Sequence, residues 1–316
     1  MCSSDLVATG KLRAELRAPP GPVQAVAFSP DSRTLAVARG RVLELWGVTD
    51  RRAPRTVEGH RGAVQAVAFR PGGAFLATGC SEGEVRLHDL ARGRDTLLGR
   101  HDRWVSSVVF GPKGDVLASA ALDGTIDLWD VSPPKHRTAL RKKGVAVRCL
   151  AFQPEGNVLA VGRLDGAVEL WDIGRGVLVK TWKAHEAPVL GLAYHPDGRC
   201  LASASFDHTG RLWDATTARL QGTLARHRGP VWAVQFTPGG ERLASAGGDG
   251  SVYLWNVARR EPVGVYHQGR DGPRYASGYP SPLVTVALSG DGKWLATISW
   301  DDTAVVCSVP PLGMRK

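Results

Sequence analysis

The stretch LDGTIDLWD, Leu122 to Asp130, recurs 42 residues later as LDGAVELWD, Leu164 to Asp172, with three conservative changes in nine positions. A second copy of a catalytic loop serves no obvious chemistry, whereas a structural unit that packs against its own copy requires repetition. Outward from these copies, the aromatic of the preceding apolar segment recurs as Phe28, Phe69, Phe110, Phe152, Tyr194 and Phe236, with Leu288 in the equivalent place. The steps are 41, 41, 42, 42, 42 and 52 residues. Nineteen positions beyond this ruler stand Trp129, Trp171, Trp213 and Trp255, and likewise His88 and Cys307, while Trp46 follows after 18. Seven units are therefore present.

Within a unit the pattern is strand-like. VWAVQF (Val231 to Phe236), RLASAG (Arg242 to Gly247) and SVYLWNV (Ser251 to Val257) are short and rich in Val, Ala and aromatics, and TPGG and GDG between them are turn chemistry, not helix caps. The pairs Asp123-Gly124, Asp165-Gly166 and Asp249-Gly250 sit where a tight hairpin needs positive φ. A fourth segment follows, as in VLVKTWKAH (Val177 to His185) and RLQGTLARH (Arg219 to His227). Each unit predicts a four-stranded antiparallel sheet.

Repeats of this length with Gly-His near the start and Trp-Asp near the end resemble the WD-repeat (WD40) β-propeller family, over about residues 11 to 309. The resemblance implies an all-β, seven-bladed propeller. Its closure follows from the chain: the last unit ends after a third strand, TAVVCSV (Thr303 to Val309), while KLRAELRAPPGPV (Lys11 to Val23) aligns with ARLQGTLARHRGPV (Ala218 to Val231). Residues 11–17 are thus expected to complete the last blade and cover its open edge. One domain is predicted over 11–309, between tails at 1–10 and 310–316, forming a monomeric ring.

Three units carry what looks like a hydrolase triad beside a tryptophan: His101, Ser119, Asp123 and Trp129; His185, Ser203, Asp207 and Trp213; His227, Ser245, Asp249 and Trp255. In the family these four side chains form a structural hydrogen-bond chain from Trp through Ser and His to Asp, so the resemblance implies scaffold and no enzyme. The other four units depart from the pattern and are expected to rely on apolar packing. No phosphate loop, H-E-x-x-H or cluster with metal spacing occurs, and neither cofactor nor metal is expected. Cys2, Cys80, Cys149, Cys200 and Cys307 are scattered and odd in number, which reads as free thiols. His136, His195, His208 and His267 read as solvated turn histidines. Without an apolar run of roughly 18 residues or a secretory h-region, a cytoplasmic address is expected.

Function is then sought on the surfaces of a stiff ring. With the four strands of a unit lettered a to d in chain order, the resemblance implies partner contacts on the face formed by the d-to-a and b-to-c connections, at positions flanking the first-strand valine and before the turn Asp: Trp104, Ser106, Leu122, Arg148, Leu164, Leu190, Phe206, Trp232, Val284 and Trp300. The 52-residue step adds Arg274 and Tyr275 in a loop on the same face. Protein or peptide partners are expected there. The opposite face carries Arg51, Arg52, Arg55, Arg92, Arg94, Arg259 and Arg260 in c-to-d turns of a chain with formal charge +10, which makes nucleic acid or another polyanion the alternative. A further alternative is that residues 1–316 are the propeller portion of a larger protein.

Overall fold

A computed structural model describes residues 12–16, 22–49, 53–141, 144–267, 283–299 and 303–309. The predicted tails and the loop at 268–282 lie outside them. Every regular element among the described residues is a β-strand, and 28 strands make seven four-stranded antiparallel sheets. Blade one comprises Val23–Phe28, Thr34–Arg39, Val42–Gly47 and Arg55–Val57, and the next five repeat that meander. Blade seven joins Leu283–Leu288, Trp294–Ser299 and Ala304–Ser308 to Leu12–Leu16 from the start of the chain, with Leu16 opposite Ala304.

The sequence feature that lets flat sheets stack around a ring is a Leu-Ala pair in every second strand. Leu35-Ala36, Leu76-Ala77, Leu117-Ala118, Leu159-Ala160, Leu201-Ala202, Leu243-Ala244 and Leu295-Ala296 are all buried. Leu and Ala point to opposite faces of their sheet. The seven apolar clusters each join residues of two neighbouring blades. The core is thus a set of inter-blade layers, and each fully buried Leu contributes about 1.5–3 kcal/mol.

Ring closure has its own layer. Val23, Leu35 and Val37 of blade one pack with Ala287, Ala296, Ile298 and Val306 of blade seven. Across the same seam the Asp291 amide donates to Ser32 Oγ at 3.0 Å.

Backbone bonds sort the connections onto two faces. Leu122 N–H donates to the Trp104 carbonyl, Leu164 to Ala146 and Phe206 to Pro188, tying each b-to-c turn to the preceding d-to-a loop. On the other side Val131 donates to Asp115 and Val257 to Glu241. The Asp-Gly turns need glycine for two reasons: Gly166 has φ of +85°, and a Cβ there would lie 2.2 Å from the His185 carbonyl oxygen.

Candidate functional site

The triad-like residues come together inside the blades. In blade five the Trp213 indole donates to Ser203 Oγ at 2.8 Å, the Ser203 hydroxyl lies 2.7 Å from His185 Nε2, and His185 Nδ1 lies 2.8 Å from Asp207. Burial pushes the His185 ring below its ordinary pKa, against the pull of Asp207. Burial would raise the Asp207 carboxyl, but bonds from Thr209 and His185 hold it low. A neutral ring beside an ionised carboxylate puts the proton on Nδ1, so the Ser203 hydroxyl donates to Nε2. Blade six repeats the hydrogen-bond contacts with Trp255, Ser245, His227 and Asp249.

Blade three differs in its last link. Trp129 and His101 meet Ser119 as expected, but His101 Nδ1 lies 2.5 Å from Thr125 Oγ1, and it is Thr125 that donates to Asp123 at 2.6 Å. The threonine two residues past the turn Asp reaches the ring first. Burial lowers the His101 pKa, with Asp127 and Asp123 opposing. All three serines are at most 1% exposed. No substrate reaches a hydroxyl sealed between sheets, so these groups serve the scaffold.

Three of the four departing units, blades one, two and four, are not held by apolar packing alone, which corrects the expectation from sequence. In blades one and four a glutamate two residues before the tryptophan takes the serine's place: Trp46 donates to Glu44 and Trp171 to Glu169, each at 2.9 Å. Arg39 lies 3.6 Å from Glu44, and Arg163 lies 2.5 Å from Glu169. The signal was present in the ELW of both units, where other blades have different residues. In blade two Thr78 Oγ1 lies 2.8 Å from His60 Nε2 and 2.9 Å from His88 Nε2, so one hydroxyl serves two imidazoles. His136 is exposed, as a solvated histidine would be, but it lies on the strand Pro134–Arg141 instead of in a turn, bonds Asp127 at 2.9 Å and meets the Trp129 ring edge-on.

A β-bulge defines the face around the channel. In each blade the pairing of the first two strands shifts after the first residue, at Val23/Ala25, Val64/Ala66, Val105/Ser107, Val147/Cys149, Val189/Gly191, Val231/Ala233 and Leu283/Thr285. A bulge leaves one residue unpaired and re-aims its side chain. The seven bulged residues are Gln24, Gln65, Ser106, Arg148, Leu190, Trp232 and Val284. First strands neighbour one another around the whole ring, so this set encircles the mouth of the channel.

Trp104 and Phe206 are 53% and 48% exposed, and Val145, unforeseen, is 37% exposed in the connection entering blade four. Phe206 meets Trp232 edge-on, their centroids 6.4 Å apart. Leu122, Leu164 and Ser106 are half-buried. Leu190 and Val284 are corrections: Leu190 is buried, and Val284 packs on the layer between blades seven and one. The Val284 side chain thus serves a contact between blades. Trp300, Arg274 and Tyr275 lie outside the described residues.

On the opposite face, Arg51 and Arg52 also lie outside the described residues. Arg92 pairs with Asp89 at 3.0 Å, and Arg55 donates to the Leu90 carbonyl at 2.8 Å. Lys135 and Arg137 both reach Asp130, and Arg175 reaches Asp172. Asp89, Asp130 and Asp172 thus partly neutralise the charge of their own turns. Arg94, Arg259 and Arg260 are exposed.

Among the described residues no group of three or more His, Cys, Asp or Glu is arranged to hold a metal ion, and no helix is long and apolar enough to cross a membrane. The described cysteines are free thiols, and burial pushes Cys149 and Cys307 up to about 12. No curated protein matches the chain. The profile of the IFT122 first beta-propeller matches residues 22–221, more than half of the 316, and that of the WD domain, G-beta repeat, matches 218–256. Profile, repeat period and sheet topology agree, and the chain belongs to the WD-repeat β-propeller family.

Proposed function

We propose that this propeller is a non-catalytic scaffold that docks protein segments on the face carrying Trp104, Phe206 and Trp232. The observation that carries this reading is the exposure of Trp104 and Phe206 around a channel mouth in a ring whose other large side chains are mostly packed between blades. Rings held by a stiff sheet lose little freedom on binding, so aromatic anchors on such a surface convert contact into affinity. We read the protein as a monomeric, cytoplasmic ring. Because the matched profile is described as a first propeller, the reading also takes residues 1–316 as part of a larger protein.

The test is affinity capture with mass spectrometry on wild type and a Trp104→Ala/Trp232→Ala variant, with and without nuclease. Binding of each captured protein, once purified, is expected to weaken by ~2 kcal/mol or more in the variant. Proteins held equally by both and released by nuclease would overturn the reading in favour of the basic face.

A further inference from the structure

Of the seven side chains that the bulges turn toward the channel mouth, one carries a charge, Arg148. Its guanidinium has five N–H donors. The hydrogen bond it makes within the ring runs from Nη1 to the Ser106 carbonyl at 3.4 Å, a long contact. The Ser106 hydroxyl donates to the Val147 carbonyl at 2.6 Å, and Arg148 meets the Ser106 carbonyl, not this hydroxyl. No carboxylate among the described residues lies within ion-pair distance of Arg148, whereas Arg163 in the same blade has both Asp165 and Glu169.

A folded chain rarely leaves a half-buried cation with so few acceptors unless something else supplies them. Burial pulls this guanidinium below its ordinary pKa. Exposed apolar residues stand close to this cation along the chain. Ser106, whose carbonyl it touches, is two residues from exposed Trp104, and Arg148 is three residues from exposed Val145.

We propose that Arg148 receives a side-chain carboxylate of the docked segment, so that the ring binds peptides in which Asp or Glu is flanked by apolar residues. This rests on the docking reading above and names the chemistry of its occupant. A carboxylate fits one planar guanidinium in bidentate geometry. A phosphorylated residue, with nearly twice the charge, is held by clusters of arginines, and the other six bulge positions are uncharged. The apolar flanks would lie over Trp104 and Val145.

The test is to pan a displayed random peptide library on the wild-type protein. The leading peptide and its Glu→Gln or Asp→Asn analogue are then titrated against wild type, Arg148→Met, Arg148→Gln and Trp104→Ala by fluorescence anisotropy. Selected peptides should carry an acidic residue whose neutralisation weakens wild-type binding about tenfold or more and leaves binding to both Arg148 variants unchanged. Arg148→Met should melt no lower than wild type, because it removes a charge without an ion partner. Neutralisation that costs the same on wild type and both variants, or selected peptides without acids, overturns the proposal. Peptides weakened by Trp104→Ala but indifferent to Arg148 refute this inference and leave docking intact. Peptides indifferent to all three substitutions, or an empty selection, refute both.

Discussion

Thr78 in blade two has one proton to give and two imidazoles to satisfy, a problem that none of the serines in blades three, five and six faces. It donates to one Nε2 and accepts from the other, which fixes the two rings in opposite tautomers. Both Nδ1 atoms are then buried without a hydrogen-bond partner. Burial, with the neighbouring His60 ring, pulls His88 from 6.5 down to about 4, and burial followed by Arg86 lowers His60. A histidine whose folded pKa is depressed contributes nothing to the pH slope above its unfolded value. As pH falls from about 6.5 toward 4 the unfolded chain takes up a proton that the folded chain refuses, and stability drops by roughly 3 kcal/mol for His88. His88→Gln keeps a donor for Thr78 and does not titrate, so its melting temperature should fall less than wild type between pH 7 and pH 4.5. Parallel melting curves for the two proteins over that range would exclude blade two as an acid-labile site. None of this was legible in the sequence, where His88 read as a tryptophan lost; only the shared hydroxyl turns the substitution into a pH response.

At the scale of the blade, one problem has two solutions: an indole packed in the sheet needs an acceptor and the strand that supplies it must stay in the sheet. Blades three, five and six use a serine hydroxyl backed by histidine, and blades one and four use a glutamate backed by arginine. Periodicity made the first solution readable, because His, Ser, Asp and Trp recur at one spacing. The second was hidden, since a glutamate in a strand reads as a solvent-facing residue until its neighbour's register is known. Glu169 is 3% exposed and Arg163 holds it. Glu169→Gln leaves Trp171 an acceptor but removes the charge that balances Arg163, which keeps only Asp165. Urea unfolding should show a loss of about 1–3 kcal/mol, the range for one partner removed from a partly buried pair. A variant within error of wild type would mean that blade four stands on apolar packing after all. The same argument explains why the exposed patch was overestimated from sequence: Leu190 and Trp232 occupy the same bulge position, and only the packing of the adjacent blade decides which is covered.

For the whole molecule, the ring has two kinds of closure that the sequence distinguishes unequally. The repeat count and the missing fourth strand made the pairing of an N-terminal segment with the last blade readable. The second closure, the layer of Val23, Leu35 and Val37 against Ala287, Ile298 and Val306, follows from Leu-Ala alternation in the first and last blades, whose outermost members here, Val23 and Val306, are 283 residues apart, and needed the fold to be seen as a circle. The two do different work. The apolar layer holds blade seven to blade one through their inner strands, while Leu12–Leu16 covers the outer edge of Ala304–Ser308. Deleting residues 1–17 should therefore leave a folded ring with an uncovered strand edge, a template for pairing with another chain. The far-ultraviolet circular dichroism spectrum should remain that of a β-sheet protein, the melting temperature should fall, and light scattering should rise with protein concentration. If the truncated protein instead stays monodisperse and melts with wild type, the segment contributes no closing strand, and blade seven is complete with three. If it unfolds outright, the inner apolar layer is too weak to close the ring alone, and the N-terminal strand carries the circle's stability as well as its edge.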